Sequence, residues 1–468
     1  MQPANRAPKK NTRNTAVQHK QRPVRSYRLG FPIALLVLIV ILLAVQSSSG
    51  GWSDVLSYLR PEPENEASVT TGTSALNPSS TPGQSQTMNT TSLPEAPQQV
   101  ILTAVGDIVM HQAVIDGGQI GGEDPPAYDF NPAFQYIKPV ISASDLAFVN
   151  YEGTLFGPPY SGFPFFAAPD AIADALFDAG FRVAWTANNH ALDKGIAGLI
   201  RTYEVFRDKG FHVVGTRPDQ NSRSDKIVTV HGIKIGLLAY TFETIGTETR
   251  RSLNGIPMPD GAEHLLDSFN PDRSNMLRQD LDGLIAHADR LRKEGAEMIC
   301  LSLHWGVEYQ TKSTSYQRQI AQQLADAGIE LIIGHHPHVL QEIDVLSASD
   351  GSSKTLVFYS IGNLLHNMTF STHNSAGFAQ DAMIVRVNIE RREGTVAVTG
   401  AEYIPTYVTR KAEGKGYQHL IVPVIPAMAD PAAYQSDSKL VKASYERTSS
   451  VLAGSNGTAD LPVVEAAR

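Results

Sequence analysis

Cysteine is almost absent from this sequence, with Cys300 as the single one among 468 residues. The chain therefore cannot form an internal disulfide, a cysteine-based zinc site or an iron–sulfur cluster by itself. Any metal that it binds must be held by His, Asp, Glu or Asn. Basic residues are also outnumbered, with 39 Lys and Arg against 47 Asp and Glu and a net charge of −8. This acidic balance argues against a general nucleic-acid-binding protein, so no nucleic-acid partner is expected.

Acidic residues are missing from the first 28 positions, where eight Lys and Arg side chains give a charge of +8 and leave −16 for the remaining residues. The run 29–45 (LGFPIALLVLIVILLAV) carries no charge, and its length is at the short end of what a helix needs to cross about 30 Å of hydrocarbon. A buried helix and a cleaved signal peptide are the alternatives, but the absence of a polar face and of a clear cleavage site favours a transmembrane anchor. The positive-inside rule then predicts a single-pass protein of the cell membrane, with residues 1–28 in the cytoplasm and the main domain outside.

Aromatic residues are absent from residues 61–98, which are dominated by Pro, Ser, Thr, Glu and Gly. Such a composition cannot bury enough apolar surface to offset the entropy of ordering, so residues 46–98 are predicted to be a disordered linker. A flexible coil of this kind spans on the order of 35 Å, enough to hold a domain clear of a membrane. Residues 99–408 are predicted to form one large domain, and residues 409–468, which lose periodicity, a poorly defined C-terminal tail.

Short apolar runs alternate with amphipathic segments after residue 98. Strands are predicted at about 100–106, 146–150, 182–187, 212–215, 226–230, 233–240, 297–303, 330–333, 355–360, 383–389 and 395–399. Helices are predicted at about 170–179, 196–209, 274–294 and 315–327, the last of them followed by a Gly that can end it. This alternation predicts an α/β fold, and the two late strands without a helix between them suggest an antiparallel edge or a second sheet.

Polar side chains cluster where five of these strands end. The clusters are GD at 106–107, NYEG at 150–153, NNHALD at 188–193, HWGVE at 304–308 and GHHPH at 334–338. In an open α/β sheet, the loops at the carboxyl ends of the strands present side chains to one crevice. The clusters therefore predict one convergent site, and its mixture of imidazole and carboxylate suits Zn²⁺, Mn²⁺ or Fe²⁺ better than Ca²⁺ or Mg²⁺.

Each cluster also has a plainer interpretation when it is taken alone. Asp107 could cap a helix or form a turn, Glu152 could be a solvated loop residue, and His190 or His304 could be a buried histidine with one backbone partner. The segment 334–338 is harder to explain as an ordinary loop, because it places three imidazoles within four positions. The shared position of all five clusters at strand ends favours the metal site.

The ordered set GDIVM, NYEG, ANNHALDKG, LHWGVEY, GHHPHV and YSIGN resembles the capsule and poly-γ-glutamate synthesis protein family (CapA-like). The domain of that family is similar to the calcineurin-like metallophosphoesterases, and the resemblance covers about residues 100–366. It implies a four-layer α/β/β/α sandwich and a membrane-anchored domain that faces outward. It also implies a role in making or exporting an anionic surface polymer, together with membrane-protein subunits of a capsule synthesis complex.

The resemblance also implies a set of ligands for one or two divalent ions. In it, Glu152 takes the position of the bridging carboxylate, His335 is an alternative to His336, and the other ligands are Asp107, Asn189, His190, His304 and His338. Asp193 is expected either to orient His190 or to cap the following helix. His111 or Glu308 is expected to transfer a proton to a leaving oxygen.

Two departures from the family of enzymes bear on how many ions are bound. Classical metallophosphoesterases have a His two residues after the first Asp, where this chain has Val109, and they bridge the ions with Asp rather than Glu. Three hypotheses follow: a metal-dependent hydrolase or transferase of a surface polymer or its precursor, a non-catalytic scaffold for polymer synthesis or export, and a binding protein without metal. The full set of ligands favours the first.

Overall fold

A computed structural model describes residues 98–121, 126–247, 250–369, 375–413, 416–455 and 457–466. The predicted basic arm, the anchor at 29–45 and the linker at 46–98 lie outside these ranges, except for the last residue of the linker. Across the described ranges, no helix is both long and apolar enough to cross a membrane.

The strands follow one another along the chain as β1 Gln98–Val109, β2 Gln119–Gly121, β3 Ala127–Tyr128, β4 Leu146–Glu152, β5 Val183–Trp185, β6 His212–Val214, β7 Lys226–Val230, β8 Ile233–Phe242, β9 Ser252–Leu253, β10 Ile256–Pro257, β11 Ser268–Phe269, β12 Met298–His304, β13 Leu331–His335, β14 Ile343–Ser347, β15 Lys354–Phe358, β16 Asn363–Leu365, β17 Asp381–Arg392, β18 Thr395–Glu413, β19 Gly416–Pro423, β20 Gly457–Thr458 and β21 Leu461–Glu465.

The helices are α1 Gln112–Gly118, α2 Asn131–Phe134, α3 Lys138–Ser142, α4 Ala171–Ala179, α5 Gly195–Lys209, α6 Ser274–Lys293, α7 Ser315–Asp326, α8 Val424–Ala429 and α9 Ser438–Val451. Two short 3₁₀ helices lie at Ala262–His264 and Phe378–Gln380. Local sequence explains the ends of α7, where Thr314 and Gln317 form a capping box and Gly328 has a φ of +76° just past the helix.

Two large sheets form the body of the fold. The larger has the order β20-β21-β18-β17-β1-β4-β5-β6, with β16 beside β1 and β19 beside β18; its β1, β4, β5 and β6 are parallel. The smaller has the order β11-β8-β12-β13-β15-β14, with β7 beside β8, and its inner strands are also parallel. Two further pairs, β2–β3 and β9–β10, are small ribbons. The predicted α/β class is confirmed, and every predicted strand and helix has a counterpart in the structure.

Three apolar cores set the order of the layers. One core joins the two sheets, with Leu102 and Phe148 from the larger and Met298 from the smaller. A second packs the other face of the larger sheet against helices α1–α5, and a third packs the other face of the smaller sheet against α6 and α7. Neighbouring residues of one strand, such as Met298 and Ile299, enter different cores because side chains alternate between the faces of a sheet. The layers therefore run helices, sheet, sheet, helices.

The C-terminal part differs from the sequence prediction of a poorly defined tail after residue 408. That boundary falls inside β18, which runs from Thr395 to Glu413 and pairs with β17, β19 and β21. Helices α8 and α9 follow, and Val441 and Val424 are buried in a core of their own with Tyr407. The prediction missed that β18 and β19 are consecutive antiparallel strands and that β21 returns to pair with β18.

Candidate metal centre

The carboxyl ends of strands from both sheets meet at one point. Asp107 lies on β1 and Glu152 ends β4 in the larger sheet, while His304 ends β12 and His335 ends β13 in the smaller. All four side chains are buried. Asp107 and Glu152 come together because β1 and β4 are neighbouring parallel strands, and His304 and His335 are paired in register between β12 and β13. The convergence predicted from the strand ends is present.

Asp107 is held by three groups around its carboxylate. Asn150 Nδ2 donates to Oδ1 at 2.7 Å, His335 Nδ1 lies 2.9 Å from the same oxygen, and the backbone N–H of His336 donates to Oδ2 at 3.2 Å. Burial alone would raise the pKa of Asp107, but the hydrogen bond and charge of His335, with the charges of His304 and His338, hold it well below its usual range. Asp107 is therefore ionised and fixed in orientation.

Glu152 is in the opposite situation, because it is buried without hydrogen bonds. Neither of its carboxylate oxygens has a hydrogen-bond partner among the described residues. Its Oε1 lies 3.6 Å from Nε2 of His304 and 3.7 Å from Nε2 of His338. Burial, together with the negative charge of Asp107, raises the pKa of Glu152 to about 8. A buried carboxylate without partners is costly, and a cation between these groups would remove that cost.

Two groups of possible metal ligands share Glu152. Within the described ranges, the ligand atoms of Asp107, Glu152 and His304 all lie within 4.8 Å of one another, and so do those of Glu152, His336 and His338. A carboxylate that belongs to both groups has the position expected for a bridge between two ions. The donor set of carboxylate oxygens and imidazole nitrogens fits Zn²⁺, Mn²⁺ or Fe²⁺.

The three histidines at the end of β13 and in the following segment point in different directions. His335 turns toward Asp107, whereas His336 and His338 belong to the second ligand group. Both His336 and His338 have a positive φ, of 95° and 58°, a backbone conformation that is uncommon for residues other than Gly. His338 Nδ1 lies 2.9 Å from Oδ1 of Asn363, a contact that orients the ring and leaves Nε2 toward Glu152. The sequence left His335 and His336 as alternative ligands, and His336 is the one that belongs to a candidate ligand group.

Asn189 and His190 approach the site from the loop after β5. Asn189 Oδ1 lies 2.9 Å from His304 Nε2, so the amide oxygen joins the first ligand group in space. His190 is outside both groups of candidate ligands; its Nδ1 lies 2.9 Å from Oδ2 of Asp193, which also accepts the backbone N–H of Phe166 at 2.7 Å. Although burial opposes the charged form of His190, Asp193 raises its pKa above the usual value.

Asp193 was expected either to orient His190 or to cap a helix. Helix α5 begins at Gly195 with Lys194 at its N-cap position, and no side-chain hydrogen bond caps it in the described structure. Asp193 instead lies against His190 at the distance of a hydrogen bond, and both side chains are largely buried. The geometry of Asp193 is that of a residue that fixes the orientation of an imidazole.

His111 and Glu308 lie at the margin of the site. His111 follows β1, with Nδ1 3.2 Å from the Val109 carbonyl oxygen and the ring edge-on to Phe166 at 5.8 Å between centroids. Burial, and then the charge of His338, lowers the pKa of His111 to about 4, so it is neutral at neutral pH. Burial lowers the pKa of His304 to about 4, and the exposed Glu308 opposes this shift only weakly with its negative charge. Neither His111 nor Glu308 belongs to the candidate ligand groups.

Three further residues shape the site, although the sequence alone gave them no role. Asn150 links Asp107 to His304, since its Nδ2 also lies 3.4 Å from His304 Nδ1. Asn363 orients His338. Phe242, at the end of β8, covers His336 with 4.5 Å between ring centroids. Asn150 and Asn363 belong to the motifs NYEG and YSIGN, so these motifs could have indicated that both residues lie beside the ligands. The position of Phe242 depends on the packing of the sheet, which no motif indicates.

The fold and the donor set define a mixed α/β protein with a candidate centre for one or two divalent metal ions. A family model described as "Bacterial capsule synthesis protein PGA_cap" matches residues 101–368. The match covers more than half of the chain, and the chain belongs to this family. The resemblance found in the six motifs is thereby confirmed.

Named relatives agree with this assignment. The chain is 26% identical over 294 residues to "Capsule biosynthesis protein CapA" of Bacillus anthracis, with 60% of this chain and 64% of that protein covered. It is 28% identical over 283 residues to "PGA biosynthesis protein CapA" of Bacillus subtilis, with 59% and 66% covered. The chain thus spans about two thirds of the length of these relatives.

A solved structure was also matched. It is the crystal structure of the calcineurin-like phosphoesterase YfkN from Bacillus subtilis, with 14% identity, a TM-score of 0.37, and coverage of 76% of this chain and 98% of that chain. A TM-score below 0.5 does not establish a common fold, and the layered architecture follows from the strands and cores of this chain.

Proposed function

We propose that this protein acts in the synthesis or export of an anionic capsule polymer, such as poly-γ-glutamate, through a metal-dependent site of the hydrolase type. Membership of the capsule synthesis family supports the biological role. The observation that carries the chemical part is Glu152, whose two buried oxygens have no hydrogen-bond partner among the described residues while imidazole nitrogens of His304 and His338 stand nearby. Burial of the ionised form of Glu152 is unfavourable without partners, and a cation between these groups would stabilise that form.

Divalent ions would be held by Asp107, Glu152, His304, His336 and His338, with the amide oxygen of Asn189 beside the first group. When bound, such ions polarise a substrate oxygen and lower the pKa of water, which is the chemistry that hydrolysis requires. The chain itself supplies orientation. Asn150 and His335 fix Asp107, Asn363 fixes His338, and Asp193 fixes His190 at the edge of the site.

His111 and Glu308 have different capacities for moving a proton. His111 is neutral at neutral pH because its pKa is about 4, so it can accept a proton but does not hold one to donate. Glu308 is exposed beside the site. His190, whose pKa is raised by Asp193, holds its proton to higher pH than an ordinary histidine and is the better donor to a leaving oxygen.

The membrane location belongs to the same proposal. Residues 29–45 would anchor the chain, residues 46–98 would tether the domain outside, and membrane-protein subunits of a capsule synthesis complex would be its partners. Fractionation of cells that make the complete chain or a variant starting at residue 46 tests this proposal. Protease should digest the domain of the complete chain from outside the cell, and recovery of that chain in the soluble fraction would contradict the anchor.

Turnover assays test the chemical part. The purified 468-residue chain, loaded with Mn²⁺, is assayed on a chromogenic phosphodiester and on poly-γ-glutamate, before and after chelation. The proposal expects turnover of at least one substrate that chelator abolishes and Mn²⁺ restores. Glu152→Gln should abolish it, and Asp178→Asn, at an exposed position outside the site, should not. Cleavage of the phosphodiester alone would favour a general metallophosphoesterase.

A non-catalytic scaffold is the second candidate, and Val109 is the observation that favours it. This side chain is buried and apolar at the place where classical metallophosphoesterases have a histidine. Binding of metal by the purified chain without turnover of either substrate would support the scaffold over the enzyme.

A further inference from the structure

The C-terminal helix α9 is connected to the metal centre through a buried ion pair. Arg447 on α9 donates from Nε and Nη2 to the two carboxylate oxygens of Asp381, at 2.5 and 2.8 Å. Asp381 is the first residue of β17 and is almost completely buried. Two parallel hydrogen bonds of this kind fix orientation as well as distance, which a single contact does not. Arg447 is therefore held in a fixed orientation against the beginning of β17.

The beginning of β17 in turn supports Gly362. Ala382 forms an isolated antiparallel bridge with Gly362, and the N–H of Met383 donates to the Ile361 carbonyl at 3.1 Å. Gly362 has a φ of +74°, and a Cβ placed on it would lie 2.4 Å from the carbonyl oxygen of Asp381. The two backbone segments are thus in direct contact, with no room for a side chain at Gly362.

Gly362 contacts the ligand-bearing strand directly. Its carbonyl oxygen accepts the backbone N–H of Asp107 at 3.0 Å, and a Cβ on Gly106 would lie 2.1 Å from that oxygen. The next residue, Asn363, is paired in register with Asp107 and holds Nδ1 of His338 at 2.9 Å. One residue of each candidate ligand group therefore depends on the position of the segment 362–363.

We propose that Arg447 is a positioning residue of the metal centre, which acts through Asp381 and Gly362 on Asp107 and on the Asn363–His338 pair. This inference rests on the proposed metal-dependent function. Arg447 and Asp381 lie beyond residues 101–368, the part that matches the family model. The C-terminal helix is accordingly part of the support of the site, in addition to its contribution to the stability of the domain.

Binding of Mn²⁺ to the complete chain tests the proposal through the variant Arg447→Lys. A lysine keeps the charge but cannot make the paired hydrogen bonds. The expected result is Mn²⁺ binding weakened about 10-fold, the lower end of the effect seen for residues that contact a ligand directly, with an altered electron paramagnetic resonance spectrum of the bound ion. The matched control is Arg386→Lys, on the same strand β17, where Arg386 pairs with Glu402 at 2.9 Å; it should leave affinity and spectrum unchanged.

A second variant guards against simple loss of folding. Asp381→Asn combined with Arg447→Gln removes both charges together, so no unpaired carboxylate is left buried. The proposal expects this folded double variant to bind Mn²⁺ more weakly than wild type as well. Wild-type affinity and spectrum in either folded variant would overturn the role of Arg447 and leave the proposed function intact. Failure of the wild-type chain to bind Mn²⁺, Zn²⁺ or Fe²⁺ would overturn both.

Discussion

Oε1 of Glu152 lies 3.7 Å from Nε2 of His338, and this buried carboxylate accepts no hydrogen bond from any residue that the structure describes. Its neighbour Asp107 shows the contrast, since three groups of the chain satisfy that carboxylate. A fold that fully satisfies one carboxylate and leaves the adjacent one without partners has the pattern of a metal centre. This difference has measurable consequences for stability, metal binding and turnover.

Stability of the metal-free protein should depend on the ionisation of Glu152. Its pKa is raised from 4.5 to about 8 in the folded chain. Between these values the folded state holds a proton that the unfolded state releases, so the contribution of Glu152 to stability falls as pH rises from about 4.5 to 8. Glu152→Gln cannot ionise. Urea unfolding in the presence of chelator should show wild type losing stability relative to this variant, by at most about 1.4 kcal/mol per pH unit. A difference that is independent of pH would contradict the assignment.

Removal of Asn363 should weaken metal binding although this residue is not a ligand. Its Oδ1 contacts Nδ1 of His338, so Asn363→Ala frees the ring to rotate. Isothermal titration with Mn²⁺ should show affinity reduced about 10- to 100-fold. Asn221→Ala, at an exposed loop position, is the control and should bind like wild type. Equal affinities in the two variants would show that the ring is held by other contacts.

Asp193 should affect turnover more than metal content. Asp193→Asn keeps the size of the side chain but removes the charge that raises the pKa of His190. We expect kcat on an accepted substrate to fall about 10- to 100-fold, with the metal content measured by elemental analysis unchanged. The upper limb of the pH–rate profile should also move to lower pH, because His190 would lose its proton more easily. An unchanged profile would remove His190 from proton transfer.

Gly106 should not tolerate a side chain. A Cβ at this position would lie 2.1 Å from the Gly362 carbonyl oxygen, so Gly106→Ala must push β1 away from β16. Overpacking of this kind costs about 1–3 kcal/mol, which thermal unfolding should detect as a lower Tm. Gly283→Ala is the opposite case, because a Cβ on this exposed residue of α6 meets nothing within 4 Å, and it should stabilise the protein by up to about 1 kcal/mol. A lower Tm for Gly283→Ala as well would argue against this explanation.

The sequence predicted the convergence of the strand ends better than it predicted the contacts that support them. Buried strands such as β12 and β13 are recognisable because they are short, apolar and followed by polar clusters, and their carboxyl ends must share one crevice. Pairing between distant segments leaves no such local pattern. The position of β17 beside β1, the 19-residue strand β18 and the contact of Arg447 with Asp381 were therefore not foreseen.

The choice among the three adjacent histidines illustrates the same limit. Spacing places His335, His336 and His338 at one strand end, but the direction of each ring depends on the positive φ values of His336 and His338. In this conformation the His336 N–H donates to Asp107, a residue that is distant in the sequence. No pattern in the sequence reports them.

Elemental analysis of the purified chain tests the central claim most directly. Wild-type protein, exposed to equal Zn²⁺, Mn²⁺ and Fe²⁺ and then freed of loosely bound ions, should retain one or two ions per chain. The double variant Glu152→Ala, His304→Ala should retain none, since it removes the shared carboxylate and a ligand of the first group. His231→Ala, at an exposed position, should retain as much metal as wild type. The same metal content in wild type and in the folded double variant would contradict the account.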